Sequence, residues 1–185
     1  MRLKIADLCA GTGSATIFFE MAGHHVDRFD LPDGDITTLT FMPGDYDFIW
    51  ASPPCQEYSK FHQPWYKEPL EVDLGLWEHC RRLIVEADPL FYVIENSIGA
   101  VHIWGPPDRR CGSFCFWGNL PIWPHGRYYK DPSGVKSSRA RAMIPKGLAR
   151  QFAEIVPGCY KSRMKLLEFF STPPPSLPME PVEKV

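Results

Sequence analysis

Nothing in the 185-residue chain is apolar for about 20 residues in a row, so no segment is expected to cross a membrane as a helix. A signal-peptide pattern is missing too. Met1-Arg2-Leu3-Lys4-Ile5-Ala6-Asp7 meets charge before an apolar segment can form, which predicts a cytoplasmic protein. There is no internal repeat and no paired CxxC spacing. The six cysteines, at 9, 55, 80, 111, 115 and 159, are therefore expected to be free thiols and not a disulfide framework. Cys111 and Cys115 are the only close pair, and no metal site is expected there or elsewhere. A large charge of one sign is also absent: 20 Lys and Arg against 22 Asp and Glu leave a formal charge of -2, which excludes a uniformly basic nucleic-acid binder.

The chain is long enough for one domain with a substantial core. Leu3 to Leu8 alternates like a short strand, and it runs into Cys9-Ala10-Gly11-Thr12-Gly13-Ser14 before a helical pattern over Ala15 to Ala22. Strand, glycine loop and helix in that order bring a ligand close to bare backbone. The loop is not a phosphate loop, because no Gly-Lys-Ser/Thr follows. Asp7, at the end of the strand, is placed to hold a cationic ligand group. His25 to Asp30 reads as a second strand ending in an acid, and an acid about 20 residues after a glycine loop is where dinucleotide folds take ribose hydroxyls. His24 and His25 themselves are read as surface or strand-edge residues.

Asp47 to Trp50 reads as a buried strand that stops abruptly at Ala51-Ser52-Pro53-Pro54-Cys55-Gln56, since proline has a fixed φ and no amide with which to extend a ladder. Cys55 thus falls on a rigid loop at a strand's carboxyl end, where open α/β sheets bind ligands. A thiolate there is a soft nucleophile; the competing reading is a cysteine packed as a small hydrophobe. A crossover helix is expected over Leu70 to Ala87, with Trp77 and Leu83 on its core face. Pro89 to Ile94 reads as another buried strand, ending in Glu95-Asn96. A carboxyl group at its tip would be partly desolvated, which favours the protonated form and suits proton donation; pairing with an arginine is the structural alternative.

Residues 99–138 read as loop, with aromatics (Trp104, Phe114, Phe116, Trp117, Trp123, Tyr128, Tyr129) among basic residues. Between Trp104 and Arg150 nine Lys and Arg stand against two Asp, a surface suited to phosphates or simply to water. Such aromatics stack bases in some proteins and anchor packing in others. Pro145 is expected to start a helix carrying Leu148, Phe152 and Ile155 on one face. The chain is divided as a catalytic domain over 1–160, with a basic, aromatic loop region at 99–143, and a C-terminal segment over 161–185. From 171 that segment is proline-rich and expected to be disordered.

Asp7-Leu8-Cys9-Ala10-Gly11-Thr12-Gly13-Ser14, Ser52-Pro53-Pro54-Cys55-Gln56 and Glu95-Asn96 together resemble the ordered motifs of the cytosine-C5 DNA methyltransferases, especially the short phage-borne ones. The resemblance covers about residues 3–156. It implies a doubly wound, Rossmann-like α/β fold that binds S-adenosylmethionine and acts on DNA. By this resemblance Asp7, Gly11 and Gly13, with Cys9, Ala10, Thr12, Ser14 and Pro53, would line the cofactor. Asp30 would take its ribose, and Asp35 with Ile36 its adenine.

Cys55 would attack C6 of cytosine and Glu95 would protonate or hydrogen-bond N3, while Ser52, Pro54, Gln56, Ser59, Asn96 and Arg127 would contact a substrate flipped out of its duplex. Ser138-Arg139-Ala140-Arg141 resembles in its letters the family's Gln-x-Arg-x-Arg segment, which makes Arg139 and Arg141 catalytic candidates. Met143-Ile144-Pro145 resembles the family's last motif without its Gly-Asn, and Cys9 stands where the family usually has an aromatic. Fewer than 30 residues separate Asn119 from Ser138, where a target-recognition domain would be inserted. Such a chain would methylate DNA with little sequence preference, borrow a specificity partner, or act on RNA or a free pyrimidine nucleotide. A non-catalytic nucleic-acid-binding member of the fold is the remaining alternative. An amino-methyltransferase is disfavoured, because Ser52-Pro53-Pro54-Cys55 lacks a stacking tyrosine.

Overall fold

The computed structural model describes residues 1–31, 34–59, 73–128 and 143–171. Its elements, in chain order, are β1 (Lys4–Leu8), α1 (Ile17–Met21), β2 (His25–Phe29), β3 (Phe48–Ala51), α2 (Gln56–Ser59), α3 (Gly75–Ala87) and β4 (Phe91–Ser97). A 3-10 turn (Ile98–Ala100), α4 (Val101–Trp104), β5 (Arg109–Cys111), β6 (Phe114–Gly118) and α5 (Lys146–Ser171) follow. Six strands form one sheet in the order β2-β1-β3-β4-β6-β5. The first four run parallel, and the β5–β6 hairpin is added antiparallel to β4. From β1 the chain goes to one side, to β2, and then returns past β1 to β3 on the other side. The loops leaving β1 and β3 therefore diverge, and the crevice between them is the switch point at which doubly wound α/β sheets bind ligands.

Alternation along the central strands explains why helices cover both faces. Phe48 and Trp50 of β3 join a core with Phe19 of α1 and Leu148, Phe152 and Val156 of α5. Ile49 and Ala51 join a second core, under Cys80, Leu83, Ile84 and Ala87 of α3. A strand buried on both sides is what the unbroken apolar run before Ser52 encodes. Within the first core Trp50, fully buried, meets Phe152 edge-on at 4.8 Å and Phe116 at 6.0 Å.

Three expectations are corrected. The crossover helix begins at Gly75, not at Leu70: Asp73 Oδ1 accepts the Gly75 amide at 2.8 Å and stops the helix extending backwards through Asp73 and Leu74, while Leu70 lies outside the described residues. Glu95 and Asn96 sit inside β4 and not beyond its tip, because β6 pairs Glu95 with Phe116 and Asn96 with Cys115, prolonging the strand. The stretch read as loop from 99 onward holds the 3-10 turn, α4 and the β5–β6 hairpin. The aromatics of β6 pack inward, with Phe114 and Phe116 fully buried and Trp117 8% exposed. The signal was the continuous aromatic and apolar run Phe114-Cys115-Phe116-Trp117 directly after Gly112-Ser113, where Gly112 has a positive φ of 69°. The helix expected at Pro145 starts at Lys146 and runs unbroken through residue 160 to Ser171. Residues 172–185, most of the proline-rich tail, lie outside the described residues.

Because Phe152 touches both Trp50 and Phe116, Phe152→Ala is expected to lower unfolding free energy by about 3–5 kcal/mol, measured by urea denaturation.

Candidate active site

A cavity of about 250 Å³ opens at the switch point. Cys9, Ala10, Gly11, Thr12, Ser14 and Ala15 line it from the loop after β1, Asp30 from the end of β2, and Ser52, Pro53, Pro54, Cys55 and Gln56 from the loop after β3. Glu95 of β4 and Ile144 complete the lining.

The loop carrying Cys55 is pinned at three points. The Ser52 amide donates to the Leu8 carbonyl at 3.0 Å, extending the β1–β3 ladder by one rung. Trp50 Nε1 donates to Ser52 Oγ at 2.7 Å. Asn96, fully buried, donates through Nδ2 to the Pro53 carbonyl at 2.9 Å, and its Oδ1 accepts the Ser97 amide at 2.8 Å. Asn96 thus shapes the loop from beneath and does not line the cavity. Beyond the prolines Cys55 is partly exposed and in no disulfide, followed by α2, whose Tyr58 packs edge-on against Trp104 at 4.9 Å. Glu95 is 5% exposed, so its carboxyl group meets the cavity from an almost fully buried position. Two prolines and a buried amide side chain leave Cys55 little backbone freedom.

The glycine loop owes its shape to left-handed backbone: Cys9, Gly11 and Gly13 have φ of 57°, 55° and 68°. A Cβ at Gly11 would meet nothing within 4 Å, so the backbone there faces open space. A Cβ at Gly13 would come within 2.5 Å of Arg28 Nε. Arg28 chelates Glu20 through two bonds of 2.9 Å, and its NH2 group reaches Thr16 Oγ1 at 3.5 Å. Thr16 in turn donates to Asp7 Oδ2 at 2.6 Å. Behind the loop, Cys80 of α3 shares a hydrogen bond with Cys9; that bond and burial push the Cys80 thiol up. Ile144 closes the site by donating its amide to Ser14 Oγ at 2.9 Å.

Among the expected cofactor residues, Cys9, Ala10, Gly11, Thr12, Ser14, Asp30 and Pro53 are brought together at the cavity, while Asp7 lies buried behind the loop and Gly13 faces Arg28, neither lining the cavity. Asp35 and Ile36 are elsewhere. Asp35 caps a turn, its carboxylate held low by bonds from Thr37, and Ile36 packs in the second core against Phe41 and Tyr46. Ser52, Pro54 and Gln56 line the cavity beside Cys55; Arg127 is exposed and does not. Ser59 ends α2 and its side chain lies outside the described residues, as do Arg139 and Arg141 entirely. Sequence reasoning missed Ala15, Ile144 and the bracing role of Trp50. Spacing signalled only the last, since Trp50 lies two residues before Ser52.

Asp7 is 1% exposed, and its Oδ1 has no hydrogen-bond partner among the described residues. Burial pushes its carboxyl group up from 3.8 to about 7, against the lowering effects of Thr16 and Arg28. A carboxyl group whose folded value is raised keeps a proton that the unfolded chain has already lost. Its favourable contribution is therefore complete at low pH and disappears as pH rises through about 7. Asp7→Asn retains an acceptor for Thr16 and removes the titration. Between pH 5 and 7 the unfolding free energy of the variant should gain on wild type by roughly 1 kcal/mol per pH unit, read from urea denaturation at pH 5, 6 and 7; a constant difference would refute it.

Residues 3–103 match the family model for C-5 cytosine-specific DNA methylases. A probable DNA (cytosine-5)-methyltransferase of Frog virus 3 (isolate Goorha) is 28% identical over a 114-residue alignment that covers 51% of this chain and 53% of the viral protein. The chain thus spans about half the length of that relative. Among solved structures, a putative DNA modification methyltransferase encoded within an E. coli prophage is 23% identical, with a TM-score of 0.40 over 53% of this chain and 33% of its own. The S. pombe Dnmt2 methyltransferase is 19% identical, with a TM-score of 0.34 over 56% and 39%. The family match takes in every cavity-lining residue except Ile144. Spanning more than half of the chain, from the first strand into α4, it makes this protein a member of the C-5 cytosine-specific DNA methylase family.

Proposed function

We propose that the chain methylates C5 of cytosine in DNA, with S-adenosylmethionine as donor and Cys55 as a covalent nucleophile. The observation that carries this reading is the meeting of Cys55, from the loop after β3, and Glu95, from within the neighbouring parallel strand β4, at one cavity with the glycine loop. The residues fit the cofactor: Gly11 leaves room for a ligand against bare backbone, Asp30 supplies a carboxylate for a ribose diol, and no cationic side chain lines the described cavity to repel a sulfonium. When bound, that cofactor supplies a methyl group made electrophilic by positively charged sulfur.

C5 of an aromatic pyrimidine is a poor nucleophile, and the protein's residues remedy that. Cys55 Sγ bonds to C6, and the displaced electron pair of the C5–C6 double bond makes C5 nucleophilic. Glu95 hydrogen-bonds or protonates N3, accommodating the density that the addition pushes into the ring. After C5 is substituted, its proton passes to solvent water at the cavity, the C5–H electron pair re-forms the C5–C6 double bond, and cleavage of the C6–S bond returns Cys55 as a thiolate. A target base inside a duplex must leave the stack to reach a cavity at the strand ends, at a cost of a few kcal/mol.

The test uses a DNA duplex with 5-fluorocytosine as the target base, since a fluorine at C5 cannot leave as a proton does and the adduct accumulates. With S-adenosylmethionine, wild type should form a denaturation-resistant protein–DNA conjugate and Cys55→Ala none. On ordinary duplex, single-stranded DNA, RNA and deoxycytidine monophosphate, only DNA should take up labelled methyl groups. Glu95→Gln should slow transfer by about 10²-fold or more. Methylation by Cys55→Ala would overturn the proposal.

A further inference from the structure

We infer that Trp50 is a positioning residue, which holds the Ser52 hydroxyl so that its proton is offered to the carboxylate at the amino-acid end of an S-adenosyl ligand. This rests on the cofactor proposed above and assigns how this chain takes one end of it.

Trp50 has a single polar atom, the indole Nε1, and the ring that carries it is fully buried between Phe152 and Phe116. Nε1 donates to Ser52 Oγ at 2.7 Å, a short bond from a ring with no space in which to turn. The Ser52 backbone is fixed as well, since its amide donates to the Leu8 carbonyl at 3.0 Å. A hydroxyl whose oxygen already accepts an N–H keeps one proton to give, and Ser52 lines the cavity. The arrangement turns a freely rotating group into a donor of set direction.

The receiving group follows from the ligand's chemistry and from what the cavity lacks. Ammonium and sulfonium groups are cationic and cannot accept a proton; the amino-acid carboxylate is the strongest acceptor on the ligand. No Lys or Arg lines the described cavity, so a carboxylate there depends on hydroxyls and amides. Ser52 stands at the root of the Cys9–Gly13 loop, tied to Leu8, and Ser14 of the same loop is likewise held as an acceptor by the Ile144 amide at 2.9 Å.

Two ligands separate this role from mere packing: S-adenosylhomocysteine carries the amino-acid end, and 5'-methylthioadenosine lacks it. Calorimetric titration of the full chain should show Ser52→Ala binding S-adenosylhomocysteine about tenfold more weakly, with 5'-methylthioadenosine unchanged. Trp50→Phe keeps an aromatic ring and loses the N–H. It should give a loss of the same kind, and the double variant should be no worse than Ser52→Ala, because both changes break one chain of bonds. An unchanged affinity for S-adenosylhomocysteine in either variant, an equal loss for both ligands, or additive losses would overturn the inference while leaving the methyltransferase reading intact. Failure of the wild-type chain to bind S-adenosylhomocysteine would instead remove that reading and this inference with it.

Discussion

The structure depends on β3 being held between β1 and β4 in parallel register, buried on both faces and stopped by two prolines. Ile5 to Leu8 pair with Phe48 to Ala51, and these pair in turn with Phe91 to Ile94. That lateral order brings three strand ends to one crevice. Each then delivers a different chemical piece: bare backbone after β1, a thiol after β3 and a carboxyl group on β4. The prolines end the ladder one residue after Ser52, so the thiol rides on a short fixed loop. Position comes from the sheet, whose central strands and their loops carry the thiol and the carboxyl group.

Polar groups within this apolar frame are handled by local satisfaction, with little ion pairing. Asn96, fully buried, uses its amide on the Pro53 carbonyl and the Ser97 amide, and the Trp50 indole finds Ser52. Buried groups satisfied in this way rigidify their surroundings, because any displacement strands a donor in a medium of low polarity. Asp7 differs, with one oxygen held by Thr16 and the other without a partner among the described residues. The Arg28 guanidinium that favours its charge is itself committed to Glu20. Burial at the floor of the glycine loop therefore favours the protonated form of Asp7 next to the cavity.

Some of this was legible in the letters, for physical reasons. Pro-Pro after an apolar run can only end a strand, glycines at 11 and 13 mark positions of positive φ, and the acid after His25 to Phe29 falls at the cavity as its spacing suggested. The hairpin was harder to see, because three strand residues on one side of a Gly-Ser turn give too short a period to separate from loop. Asp35 and Ile36 show another limit. An acid followed by an apolar residue looks the same whether it meets a ligand or caps a turn over a core, and here Thr37 and Phe41 take the two side chains.

The sequence by itself determined local features: which strands are buried, where β3 must stop, and that a thiol follows that stop. Those facts are local, set by proline's missing amide, glycine's missing Cβ and alternation of period two. Only the tertiary structure decided which ends share a cavity, that Glu95 lies within a strand prolonged by β6, and that Trp50 and Asn96 brace the loop of Cys55. Lateral strand order and the fate of each buried donor depend on residues far apart in the chain, such as Asn96 and Pro53, whose meeting no local pattern encodes.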